Sequence, residues 1–206
     1  MDSAVPLVGY VAELGRLAKE IRCRIDGVGA DLIPTLFAVH DGYLVGTATA
    51  LDDADATAES QFSRASEAAA LMRVGWSADG ICLLTEAFVG VGPAQDLDNL
   101  AVAFALGNPD VHECLFLIAS TADEVLACAL PYRYELGRKI EWGPPLGETA
   151  LPGAAGPYVT MFGQIFAVDP VPPPADWDAG VAAIGACIEA VGFAVETFSA
   201  EEVAIS

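Results

Sequence analysis

A chain of 206 residues with 29 acidic side chains against nine basic ones carries a formal net charge of −20, yet 54% of it is apolar and only 18% charged. That balance excludes a disordered polyelectrolyte and supplies ample material for a core, with the acids outside a folded body. It also disfavours direct binding to nucleic acid or anionic lipid, because a field of this sign repels polyanions and favours basic partners.

Leu7, Val11, Leu14, Ala18, Ile21 and Ile25 recur at three- and four-residue steps, which predicts an amphipathic first helix ended by Asp26-Gly27 and Gly29. Glu13, Arg16, Lys19, Glu20, Arg22 and Arg24 fall on its other face, with Arg16 and Glu20, and Glu20 and Arg24, one turn apart as surface pairs. A hairpin follows. Thr35 to His40 and Tyr43 to Leu51 are β-prone runs on either side of Asp41-Gly42, a pair suited to the positive φ angles of a two-residue turn; this register sets His40 beside Tyr43 and Val39 beside Leu44.

A second helix is expected over residues 56–74, with Asp52, Asp53 and Asp55 as capping acids and Phe62, Ala65, Ala69 and Met72 as its inner stripe. The spacing of those acids fails as a calcium loop, since the sixth and twelfth places counted from Asp53 hold Ala58 and Arg64. Gly80 to Val91 is apolar on both faces apart from Thr85 and Glu86, which predicts a central strand. Pro93, Asp96 and Asp98 then open a helix that Gly107-Asn108-Pro109 stops, with Leu97, Leu100 and Phe104 on its buried face.

His112 to Ser120 and Glu124 to Tyr134 form a second hairpin pattern, in which Pro131 marks an edge, and Gly137 to Trp142 adds a short strand. Proline and glycine make a loop of residues 143–157 and a breaker of residues 170–174. Tyr158 to Val168 between them is expected to be a strand, Trp177 to Ala190 a nearly all-apolar helix buried in the domain or between subunits, and Gly192 to Ser199 a last strand. The sum is an α+β fold: a mostly antiparallel sheet with packed helices, one domain over residues 1–206, with residues 144–206 as a candidate appended lobe.

The candidate chemistry is sparse. His112 and Cys114 share one face of a strand, the placement needed to offer an imidazole and a thiolate to one metal ion or to pair a nucleophile with its base; Cys82 or His40 would supply a third ligand. The competing account makes Cys114, Phe116 and Ile118 a core stripe with His112 at its wet end. Glu86, a lone carboxylate in an apolar strand, is a candidate general acid if buried, against an ion pair with an arginine. Tyr132, Arg133, Tyr134, Arg138, Lys139 and Trp142 form the one basic and aromatic stretch, a candidate interaction surface whose aromatics would otherwise cover the core.

Five dispersed cysteines without a C-x-x-C pair point to reduced core thiols in the cytoplasm, the Met1-Asp2-Ser3 start predicts no secretory signal, and no run of about 18 apolar residues predicts a membrane helix. No phosphate-cradling glycine motif occurs, and no cofactor is expected. The function these features favour is a non-enzymatic, homo-oligomeric interaction protein that binds a basic partner protein, in one version by mimicking nucleic acid. All nine bases precede residue 140, and the acid-only stretch beyond is the motive for that reading. Two alternatives stand beside it: a small metal- or thiol-dependent hydrolase using His112 and Cys114, and a structural subunit of a larger assembly.

Overall fold

A computed structural model describes residues 7–24, 32–51, 58–91, 100–134, 140–146, 157–167 and 177–198. In chain order these form α1 (Leu7–Arg24), β1 (Thr35–His40), β2 (Tyr43–Ala50), α2 (Ala58–Gly75), β3 (Gly80–Gly90), α3 (Leu100–Ala105), β4 (Val111–Thr121), β5 (Val125–Tyr134), β6 (Ile140–Trp142), α4 (Pro157–Ile165), α5 (Trp177–Ala190) and β7 (Phe193–Thr197). The strands make one antiparallel sheet in the order β6-β5-β4-β3-β1-β2-β7. The fold is α+β.

β3 is the middle strand of the seven, and the helices cover it on both faces, which is why its sequence does not alternate. On one face Leu36, Ala38, Ile81, Leu83 and Ile118 pack beneath Met72 and Trp76 of the α2 end, Phe162 of α4 and Ile188 of α5. On the other, Leu84, Leu115, Leu117 and Leu130 pack beneath Ala18 of α1. α4, α5 and β7 therefore share the core and the sheet of the residues before them.

The first hairpin forms in the expected register, His40 against Tyr43 and Val39 against Leu44, with φ of 50° at Asp41 and 84° at Gly42. These are the angles of the turn that matches strand twist. Farther along β2, a Cβ on Gly46 would lie 2.7 Å from the Glu196 carbonyl and 2.9 Å from the Trp76 ring, so only glycine lets β7 and the indole approach together.

Four expectations are corrected. Residues 157–165 form a helix where a strand was expected: Pro157 fits a first helical turn, and Met161, Phe162 and Ile165 bury one helical side, with the Phe162 carbonyl taking a 3.0 Å hydrogen bond from the buried Ser120 hydroxyl. Phe104 is exposed rather than buried, with its ring 5.1 Å from Phe88, and α3 has no buried residue. Pro131 lies one strand in from the edge, because Gly143 donates to its carbonyl and β6 continues the pairing beside it. α5 buries only Val181, Gly185 and Ile188, leaving Cys187 exposed, so that thiol is not in the core. The expected capping acids Asp52, Asp53 and Asp55, and Asp96 and Asp98, lie outside the described residues.

Candidate functional site

His112 and Cys114 stand near the start of β4, opposite Val89 and Ala87 of β3, while Cys82 is opposite Ala119, five positions further along. Directly paired residues share a face and successive residues alternate, so Cys82 lies on the α1 side of the sheet and His112 and Cys114 on the other. The sheet thus keeps Cys82 apart from His112 and Cys114. Burial pushes the Cys82 thiol up to about 12, and burial, reinforced by Glu113 and Cys128, does the same for Cys114, to about 12. The thiolate is the nucleophile, and with no metal bound both thiols stay protonated at neutral pH.

Those shifts carry a stability consequence with a definite sign. Unfolded thiols ionise near their ordinary value of 9, whereas the folded ones hold their protons to about 12, so stability is intact below pH 9 and declines from there to pH 12. The expected decline approaches about 4 kcal/mol per thiol at its limit. Urea unfolding at pH 8 and pH 10.5 checks this: the wild-type loss should shrink in Cys82→Ala/Cys114→Ala, and an equal loss in both proteins would contradict it.

Glu86 pairs with an arginine. Its Oε1 lies 2.7 Å from Arg22 Nε, and the two side chains are 10% and 1% exposed. The contact is ionic, since the Nε–H does not aim at the oxygen. Glu86 also accepts from Leu32 N–H at 2.8 Å and from the Tyr132 hydroxyl at 2.8 Å, and that hydroxyl lies 3.0 Å from Glu113 Oε1. Arg22 donates in addition to the Tyr134 hydroxyl, and its guanidinium lies 5.3 Å and 5.4 Å from the Tyr132 and Tyr134 ring centres.

The placement of Arg22 corrects its assignment to a surface face. Burial opposes its charge, but Glu86 and the two tyrosines outweigh that and hold its pKa above the ordinary value. For Tyr132 burial acts in the other direction and is the largest cause raising its pKa, followed by the hydrogen bond to Glu86, so its phenol stays protonated. A general acid must face a substrate, and this cluster is closed over by α1. Its chemistry is that of a joint between α1 and the sheet.

Of the basic and aromatic stretch, Tyr132 is buried, and Tyr134 and Trp142 are half-buried in the same α1-side core, with Trp142 carrying the Lys19 ammonium 5.3 Å above its ring. Arg133 is exposed and pairs with Glu141 at 2.6 Å. Arg138 and Lys139 lie outside the described residues. The three aromatics are committed inward.

The groups that do converge on a surface lie at the end of the sheet holding the β1–β2 turn, the α2–β3 connection, the β4–β5 turn and the start of α5. Asp41, Asp79, Asp123, Glu124 and Asp178 are all exposed there. Residues 41–42, 76–79, 122–124 and 177–180, which build it, contain no lysine or arginine. The two hairpin turns are separated by three strand spacings, about 14 Å.

No family model, curated protein or solved structure matches this chain. Within the acidic end, His40 Nδ1 donates to the Ser77 carbonyl at 2.8 Å, and the ring stacks on Trp177 with centroids 5.3 Å apart. Its Nε2 lies 3.6 Å from Asp41 Oδ2, and Asp79 accepts from the Asp41 N–H at 2.7 Å. Asp79 and Trp177 were not singled out from the sequence, whose only local hint is the His40-Asp41 pair at a hairpin tip.

Elsewhere, a cavity of about 540 Å³ between α2 and α4 is lined mainly by apolar side chains, among them Phe62, Met161 and Ile165. Arg73 forms part of its wall, donating to the Ala78 carbonyl at 2.7 Å and lying 4.6 Å from the Phe166 ring centre. Among the described residues, no helix is long and apolar enough to cross a membrane.

Proposed function

We propose that the protein is a non-enzymatic interaction protein whose acidic sheet end docks a basic partner protein. The observation that carries the reading is the set of five exposed carboxylates at one end of the sheet, on two hairpin turns, the α2–β3 connection and the start of α5, segments that contain no lysine or arginine. The strands beneath the hairpin turns fix the backbone positions of Asp41, Asp123 and Glu124 before a partner arrives, so the ordering cost there is confined to side chains. A surface of that kind steers cationic partners by long-range attraction and can occupy a site built for phosphates, which is the nucleic-acid-mimic version of the proposal. Four free cysteines among the described residues suit the reducing cytoplasm as the setting.

The attraction acts between exposed charges, so salt must weaken it. A fluorescent deca-arginine peptide titrated with the protein is expected to bind at 50 mM NaCl and to lose at least tenfold in affinity at 500 mM. Absence of binding at low salt, or an affinity indifferent to salt, would refute the proposal.

A further inference from the structure

We propose that His40, Asp41 and Asp79 form a site for one divalent transition-metal ion, with zinc as the ion their chemistry suits. One ligand atom from each lies within 4.8 Å of the other two. They come from the end of β1, the turn after it and the residue before β3, and the antiparallel β1–β3 pairing of Val39 with Gly80 brings His40 and Asp79 side by side.

The imidazole is the part of the site that is set in advance. A carbonyl only accepts, so the 2.8 Å contact with Ser77 O places a ring proton on Nδ1, and the neutral ring that binds a metal offers its lone pair on Nε2, the nitrogen beside Asp41 Oδ2. Metal-ligating histidines are oriented in this way, by a hydrogen bond from the other ring nitrogen to a backbone carbonyl or carboxylate. Here that carbonyl belongs to the α2–β3 connection and not to the three ligands. The Trp177 ring, stacked at 29° to the imidazole, fixes its plane from the start of α5.

Imidazole with two carboxylates is a donor set for zinc and its neighbours among the divalent transition metals, whereas an all-oxygen set would favour calcium or magnesium. Zinc ligands about 2.0–2.1 Å from the ion in a tetrahedron lie about 3.3 Å from one another. His40 Nε2 and Asp41 Oδ2, at 3.6 Å, are close to that already. Asp41, with its side chain 83% exposed, has room to rotate the remaining ångström or so toward Asp79. Three protein ligands leave a fourth position to water or to a partner's side chain. The site shares Asp41 and Asp79 with the proposed docking surface, but zinc binding is measured without any partner, so either reading can fail alone.

The test is a calorimetric titration of chelator-treated protein with zinc chloride, with tryptophan fluorescence as a second readout. One zinc per chain is expected, with a fluorescence change that Trp177→Phe reduces. Affinity should fall at least tenfold in His40→Ala, in Asp79→Asn and in Asp41→Asn. The asparagine variants keep the fold within reach, because asparagine tolerates the positive φ of position 41 and retains an acceptor at position 79. His112→Ala should bind as the wild type does. Absence of saturable one-to-one binding, or binding that all three site variants leave intact, would overturn the assignment.

Discussion

Replacing Arg22 with methionine is expected to lower the unfolding free energy by about 3–5 kcal/mol, the range for removing one partner of a buried ion pair. The reason is asymmetry. Arg22 and Glu86 are 1% and 10% exposed, so removal of the guanidinium leaves a nearly buried carboxylate facing a tyrosine and an apolar methionine stem. Tyr134 loses a donor in the same step. In the double variant Arg22→Met/Glu86→Gln the uncompensated charge is gone, and the amide can still accept from Leu32 N–H or Tyr132. The double variant should therefore be no less stable than Arg22→Met alone, and the cost of the double should fall short of the sum of the two single costs by at least about 1 kcal/mol, a coupling of the size found for residues within one network. Urea unfolding of the wild type, both single variants and the double variant measures it. Strict additivity would show that the pair does not act as a unit.

Trp76→Ala is expected to cost a similar amount, about 3–5 kcal/mol, by the loss of a large buried aromatic and the cavity it leaves. Trp76 has no exposed surface, and its Nε1–H donates to the Val181 carbonyl at 3.1 Å, so one side chain ties the end of α2 to α5 across the core. The ring also rests against the position where Gly46 lacks a Cβ. Trp76→Phe keeps most of the apolar contact and loses the hydrogen bond, and should cost less than Trp76→Ala. Thermal unfolding followed by circular dichroism separates the two variants. An unchanged midpoint in Trp76→Ala would mean that α5 does not dock on the sheet as described.

Local chemistry made much of this fold legible. Asp41-Gly42 specifies its own turn, and the two-sided apolarity of Gly80 to Val89 can be satisfied only inside a covered sheet. Long-range placement was less legible. Arg22 lies one turn from the buried Ala18, on the shoulder of the apolar stripe, and nothing local tells whether the opposing surface holds a carboxylate. Glu86 and Tyr132 supply the answer from strands 64 and 110 positions away. For α4, the Pro157 start and the Met161, Phe162 and Ile165 spacing carried a helical signal that the surrounding glycines and prolines masked.

The candidate sites follow the same division. His112 and Cys114 share a face as strand alternation requires, but Cys82 reaches them only if the β3–β4 register allows it, and the register sets it on the other side. His40 and Asp79 are 39 positions apart in sequence and meet because β1 pairs with β3 rather than with β2 alone. That pairing is a property of the whole sheet, so the convergence at its acidic end could not be read from either segment.

The claim that the acidic end is a docking surface, rather than one part of a uniformly acidic exterior, is tested by moving the same number of charges at two places. One variant carries Asp41→Asn, Asp79→Asn, Asp123→Asn and Glu124→Gln; the other carries Glu67→Gln, Asp110→Asn, Glu189→Gln and Glu196→Gln, all exposed and none on the turns, the connection or the helix start that build that end. Both lose four negative charges, so an undirected field would weaken equally in each. At 50 mM NaCl the first variant is expected to bind deca-arginine at least tenfold more weakly than the second, whose affinity stays near the wild-type value. Equal losses in the two variants would contradict a localised docking surface.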